Sequence, residues 1–500
     1  MGNDFIDEFA HALSDVDVDA LIDDYITNNR ESFEEDLGAL ISIESVQDLD
    51  NADASLGMPF GPGPAAALDT VLAIASRMGF ETCNDNGYIG WAQLEGQSDE
   101  QLGIIAHTDV VASSNGWICD PFSLTVKDGF YVGRGVIDDK GPLMVVLHAL
   151  NMWKKYLDDK GLKFPYTVRY LFGCAEETGM EDVKYYLAKH PSPLFLFTPD
   201  AEFPVCYGEK GMVCGWFVSD AVRKQDRVIQ DIKAGAAFNA VPDFAYADVL
   251  TDKALANTDS VKINKLDNGL CRIEASGKSA HASTPWLGIN ALGILIDYLL
   301  EFELCSPKEK LFLKLASDVL ACHDASKLGI GCEDEFFGKL TGVAAMVACE
   351  DADDEHSRLK LSFDVRYPTC TTAERIIASL SDCAEEVGGI FEVRVIKKPF
   401  VIDPDYPGVK ALMTAYNEVT GEDAKPFTMG GGTYARMFEK TTSFGMDSAV
   451  RDVPAWAGGM HGPNEAISIE WVKKSFRIYA HALKNMNCTH LASVNGNSGV

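Results

Sequence analysis

The chain has 500 residues, a hydrophobic fraction of 47% and a formal net charge of −32. So negative a balance repels phosphate at long range and argues against nucleic-acid and anionic-membrane partners. The length allows roughly two to three domains, with cores large enough to need no disulfide staples.

Taken in chain order, residues Met1 to Ala20 are acidic and polar-broken, without a basic stretch followed by an apolar one, and no secretory leader is expected. No run approaches the ~18 apolar residues of a membrane span. The first ~40 residues read as helix, because apolar residues from Asp17 onward recur every three to four positions. A Gly-Pro-Gly-Pro turn then precedes an amphipathic helix from Pro64 to Phe80. Between residues 100 and 200 the pattern becomes strand, loop, helix. Gly103-Ile-Ile-Ala runs into His107, Pro142 to Leu157 is a helix with proline in its first turn, Tyr166 to Gly173 is β-rich, and Leu194 to Thr198 is another strand. Apolar strands alternating with helices predict an α/β domain. Its mostly parallel sheet is covered by helices on both faces and binds ligands beyond the carboxyl ends of its strands.

The texture changes from residue 208 to 398, with longer loops, an antiparallel-looking segment at Asn268 to Ser276, and helices at Ile289 to Phe302 and Ala373 to Val387. This is an inserted α+β domain. It divides the catalytic domain into residues 1–207 and 399–488, and residues 489–500, rich in Asn, Ser and Gly, read as a disordered tail. Thirteen cysteines without a CxxC pair read as reduced thiols, nearly all buried as small hydrophobes, in a cytoplasmic protein.

Residues with chemistry fall at the predicted strand ends. His107 and Asp109 sit two apart, so in extended chain they share one face. Alone that pair says little. The adjacent Asp138 and Asp139 lie in a glycine-bounded loop before a helix, where a carboxylate bridges two cations or simply serves the helix dipole. Glu176 and Glu177 are costly side by side unless a cation or proton separates their charges. One of them suits metal ligation and the other proton removal from a bound water; the plainer alternative is a solvated acidic loop. Asp200 follows an apolar strand, and His461 lies between glycines far downstream. With one aspartate of the 138–139 pair, one glutamate of the 176–177 pair and Asp200, their joint order supplies two histidines and three carboxylates, which suits a pair of zinc-like ions. No HExxH is present, so a helix-based zincin is excluded.

The ordered motifs AHTDVV, NGWICDPF, GRGVIDDKGP, CAEETG, TPDAEFP, YGEKG, FNAVPD, GKSAHASTP, FDVRYP, MGGGTYAR and MHGPNE resemble one family over nearly the whole chain. It is the two-metal exopeptidase and amidohydrolase family of carboxypeptidase G, aminoacylase and succinyl-diaminopimelate desuccinylase; within it the pattern is similar to PepV-type bacterial dipeptidases. The resemblance implies that His107 and Asp200 bind one metal, Glu177 and His461 the other, and that Asp138 bridges them. It implies that Asp109 orients His107 and that Glu176 is the general base. The metals would be two zinc ions, with manganese or cobalt as alternatives. The inserted domain would be a lid, long enough to replace a partner subunit and leave the enzyme a monomer. From it, His281 would polarise the scissile carbonyl, Asn239 would hydrogen-bond the substrate, and Arg366 would hold a free carboxylate. The backbone of Gly431 and Gly432 would lie along that end of the substrate. Each lid residue has a plainer alternative: Asn239 a turn before proline, His281 a surface loop, Arg366 a structural ion pair with Asp364.

The implied activity is hydrolysis of dipeptides or very short peptides through a bridging water. An N-acyl-amino-acid deacylase would use the same metal site. A non-catalytic metal-dependent binding protein is more remote, because Glu176 and every ligand are intact.

Overall fold

The computed structural model describes residues 4–235, 238, 240–281, 285–447 and 453–491; for Asn268 and His281 the description is of the backbone. The chain divides into two compact units. One comprises Met1–Tyr207, Ile402–Phe427 and Gly432–Val500, the other Gly208–Val401 and Thr428–Gly431.

The first unit is built on a sheet whose centre is parallel. Strands Tyr166–Gly173, Ser98–His107, Phe195–Thr198 and Thr441–Ser443 lie side by side in that order. Ile89–Leu94 and Glu81–Asp85 extend one side antiparallel, and Cys206 pairs antiparallel with Ser443 on the other. Phe195–Thr198 is buried throughout, as expected of a strand covered on both faces. Alternation divides the side chains. Ile104, Tyr170, Phe172, Phe195 and Phe197 enter the larger core, while Ile105, Leu171 and Leu196 enter a smaller one with Val183, Tyr186 and Tyr434.

The central helix, Lys140–Lys160, begins two residues before Pro142 and is buried at every position from Lys140 to Trp153. Its entry is fixed by Lys140, whose Nζ donates to the carbonyls of Leu40 (3.0 Å) and Ile43 (2.7 Å). These carbonyls lie at and just past the end of the helix Val18–Ile41, where the last carbonyls run short of intrahelical donors. The N-terminal stretch is two helices, Asp4–Ala12 and Val18–Ile41, because Asp17 caps the second by accepting from the Ala20 amide. The third helix is Pro62–Arg77.

The second unit is an antiparallel sheet in the order Val261–Lys265, Leu270–Ser276, Phe244–Leu250, Ile229–Ala234, Val347–Asp351, His356–Tyr367, Gly211–Val218, Ile390–Lys397. Helices Ala291–Glu301, Pro307–Leu320 and Ala373–Glu386 share one core with it.

Two expectations need correction. Thr489 and Leu491, read as part of the tail, are held in place: Leu491 is buried, and the Tyr166 hydroxyl donates to the Thr489 carbonyl and accepts from the Leu491 amide. Residues 492–500 lie outside the described residues. All thirteen cysteines are free, but only Cys174, Cys206, Cys214 and Cys271 are fully buried. No helix among the described residues is long and apolar enough to cross a membrane.

Candidate metal centre

The parallel register brings the strand ends together. His107 is the last residue of its strand and pairs with Gly173, the last of the next, from which the chain turns through Cys174 and Ala175 into Glu176 and Glu177. Asp200 follows the end of Phe195–Thr198. Asp138 precedes the central helix, and His461 stands in the left-handed region at φ 62°, between Gly459 and Gly462.

These side chains converge. Asp138 presents Oδ1 to His107 Nε2 at 2.8 Å and Oδ2 to His461 Nε2 at 2.9 Å. His461 Nε2 also lies 3.2 Å from Glu177 Oε1, and His107 Nε2 lies 3.9 Å from Asp200 Oδ2. The ligating atoms of His107, Asp138 and Glu177 fall within 4.8 Å of one another, as do those of His107, Glu176 and Asp200. Glu177 Oε1 is buried, with the His461 ring its near polar neighbour at 3.2 Å, so a cation between the two would find both a carboxylate oxygen and an imidazole nitrogen. The donor set of imidazole nitrogens and carboxylate oxygens fits a zinc-like ion.

The electrostatics agree. Burial opposes a charge on the His107 ring, yet Asp109 and Asp138 hold its pKa well above the ordinary range. Hydrogen bonds to Asp138 and Glu177 push His461 up to about 11. Burial, then the neighbouring Asp200, raises Glu176 well above the carboxylate range; burial, then Asp138, raises Glu177. The carboxylates are crowded enough to favour protons on some of them, and a bound dication would relieve the same repulsion.

The support of the ligands differs in detail from the sequence expectation. His107 Nδ1 lies 2.9 Å from the backbone carbonyl of Asp109, closer than the Asp109 carboxylate at 3.4 Å. That carboxylate instead accepts the amides of Glu176 and Glu177, each at 3.2 Å. Asp139 accepts the His107 amide at 3.2 Å.

The sequence alone assigns no role to Glu465 or Arg134, although they stand in the MHGPNE and GRGVIDDKGP motifs. Glu465 is fully buried and accepts from the amides of Gly135, Ile137 and Asp138 and from Arg134 Nη1 at 2.6 Å. Arg134 Nη2 donates to the His461 carbonyl at 3.2 Å. One buried ion pair thus ties the Asp138 loop to the His461 loop. Glu465→Ala is expected to cost about 3–5 kcal/mol of stability, because it leaves Arg134 buried and unpaired. Chemical denaturation measures this, and an unchanged midpoint would remove Glu465 from the account.

In the second unit, Arg366 is buried and bidentate to Asp364, Nε at 2.8 Å and Nη2 at 3.0 Å, while Nη1 donates to the Gly430 carbonyl at 3.0 Å. These bonds use three of the five N–H donors of a guanidinium. A side chain at Gly431 would meet only the Met429 thioether, whereas one at Gly432 would meet the Arg436 guanidinium at 2.5 Å. The backbone of His281 pairs with Ala240 in a short antiparallel ladder. The His281 side chain and Asn239 lie outside the described residues.

A parallel sheet that gathers two histidines and a cluster of carboxylates at its strand ends is the framework of a metal-dependent hydrolase. Residues 103–485 match Peptidase family M20/M25/M40, and the chain belongs to that family. It is 32% identical over 471 residues to the Beta-Ala-Xaa dipeptidase of Lactobacillus delbrueckii subsp. lactis, covering 90% of this chain and 94% of the relative. Among solved structures it shares the fold of human carnosine dipeptidase 1, with a TM-score of 0.55 at 13% identity, covering 94% of this chain and 98% of the other. It also shares the fold of a di-peptidase from Saccharomyces cerevisiae, with a TM-score of 0.56 at 14% identity and the same coverage.

Proposed function

We propose that this chain is a two-zinc dipeptidase, acting on dipeptides or very short peptides with a free C-terminal carboxylate. The observation that carries the reading is Asp138, whose two oxygens face two different histidines, each accompanied by a further carboxylate. Family membership and the dipeptidase relative support the substrate class. His107 and Asp200 would hold one ion, Glu177 and His461 the other, with Asp138 between them. Bound there, the ions would polarise the attacking water and the scissile carbonyl.

The chain's own residues do the rest in this reading. Glu176 accepts the proton of the attacking water on a carboxylate oxygen and delivers it to the leaving nitrogen. His281 donates to the carbonyl oxygen as it gains charge, and Asn239 adds a hydrogen bond to the substrate. The N–H donors of Arg366 not spent on Asp364 and Gly430 take the terminal carboxylate, and Gly431 and Gly432 line that end. The inserted domain is long enough to bring His281 in from the same chain, so in this reading the working form is a monomer, acting on peptides in the cytoplasm.

The test is a panel of dipeptides, including β-alanyl ones, beside N-acetyl amino acids, with zinc-, manganese- and cobalt-loaded protein and a chelator control. Dipeptides should be turned over fastest, and the chelator should abolish turnover. Faster hydrolysis of N-acetyl amino acids would replace the reading with a deacylase. Bound zinc without hydrolysis of any member would leave a binding protein.

A further inference from the structure

The turn that carries Glu176 and Glu177 is gripped by two buried carboxylates rather than one. Its amides are satisfied in sequence. Cys174 and Ala175 donate to Asp182 Oδ2 at 2.7 and 3.0 Å, and Glu176 and Glu177 donate to Asp109 Oδ1 and Oδ2 at 3.2 Å each. Asp109 lies two residues from His107 in the chain, whereas the hydrogen bonds of Asp182 among the described residues go to the Cys174, Ala175 and Val183 amides and to Tyr434. Asp182 is fully buried, and its Oδ1 accepts the Val183 amide at 2.8 Å.

Asp182 is itself held by Tyr434. The Tyr434 hydroxyl donates a hydrogen bond to the same Oδ2 that takes the turn amides. The tyrosine is fully buried, and its ring stands edge-on to the His107 ring at 6.3 Å. It sits so close over the strand end that a Cβ at Gly173 would fall 2.0 Å from the Tyr434 oxygen, so glycine is required there. Tyr434 thus contacts the His107 ring on one side and the anchor of the glutamate turn on the other.

Two adjacent glutamates with different tasks need a fixed backbone, because a small rotation of the turn exchanges which carboxylate faces which neighbour. The turn is a single short helical turn, Glu176–Thr178, without a side-chain cap of its own. A misplacement of about 1 Å at a reacting group costs on the order of 100-fold in rate.

We propose that Asp182, locked by Tyr434, is a positioning residue for Glu176, setting the rate of proton transfer without contributing to substrate or metal binding. This rests on the reading of Glu176 as the base.

The test uses the full-length zinc-loaded protein and the dipeptide it hydrolyses best. Wild type, Glu176→Ala, Asp182→Asn, Tyr434→Phe and the Asp182→Asn/Tyr434→Phe double variant are compared for kcat, KM, zinc content, melting temperature and solvent isotope effect. Asp182→Asn should lower kcat by about 100-fold and Tyr434→Phe by about 10-fold, with KM within about twofold and zinc content unchanged. The isotope effect on kcat should rise as proton transfer becomes limiting. The double variant should fall less than the product of the two, since both changes act through one contact. Tyr434→Phe keeps the ring and the packing, so it carries the test if Asp182→Asn does not fold. Wild-type kcat in folded variants, or a loss traced to zinc release or to a raised KM, overturns the proposal. Near-wild-type turnover by Glu176→Ala would overturn the reading of the base and this inference with it. A dead Glu176→Ala beside fully active Asp182→Asn and Tyr434→Phe would overturn the inference alone.

Discussion

Glu176→Ala is expected to lower kcat by about 10²–10⁴-fold, the usual span for removing a general base, while the protein keeps its full metal content. The expectation separates Glu176 from its neighbour. Glu177 Oε1 is a buried acceptor within 3.2 Å of His461 Nε2, so Glu177→Ala removes a ligand and should lower metal content as well as turnover. Glu176 also lies within reach of His107 and Asp200, so proximity alone would admit it as a ligand. The paired measurement decides. Retained zinc with lost turnover assigns Glu176 to proton transfer, and parallel loss of both makes it a ligand. Near-wild-type turnover with both ions bound would remove it from the chemistry.

The residues at strand ends were legible in the sequence because a physical rule puts them there. His107, Glu176, Glu177 and Asp200 each follow an apolar run, and parallel strands gather their carboxyl ends. Asp138 was legible as an acid in a glycine-bounded loop, and Arg366 as either a carboxylate holder or the partner of Asp364, with which the structure pairs it. Glu465, Arg134, Asp182 and Tyr434 were not. Their partners are backbone amides and buried charges hundreds of residues away in the chain for Glu465 and Tyr434, and no periodicity records such a contact. Glycine was the available clue: Gly173, unexplained in a β-rich run, marks where the Tyr434 ring must pass. The start of the central helix, two residues before the expected Pro142, has a similar cause. Lys140 reads as a polar loop residue until the carbonyls that its ammonium satisfies are in place.

Asp138→Asn should have the other large effect, and its signature is stoichiometric. The aspartate is buried, with one oxygen toward each histidine, and its amide is anchored on Glu465 at 3.2 Å. An asparagine of the same shape keeps one acceptor and turns an NH₂ toward the other histidine. It therefore offers one of the two cations a neutral oxygen and the other a repelling donor. On the two-zinc reading, bound zinc should fall from two ions per chain to one or fewer, with turnover reduced by about 10³-fold or more, since the water would lose one of the two ions that activate it. Folding should be less affected, because the hydrogen bond from residue 138 to Glu465 is made by the backbone and survives the substitution. Elemental analysis after dialysis, read beside the melting temperature, separates these effects. If Asp138→Asn kept two zinc ions at wild-type affinity, the oxygens facing His107 and His461 would not be bridging, and the two ions would have to be held by the remaining ligands without Asp138.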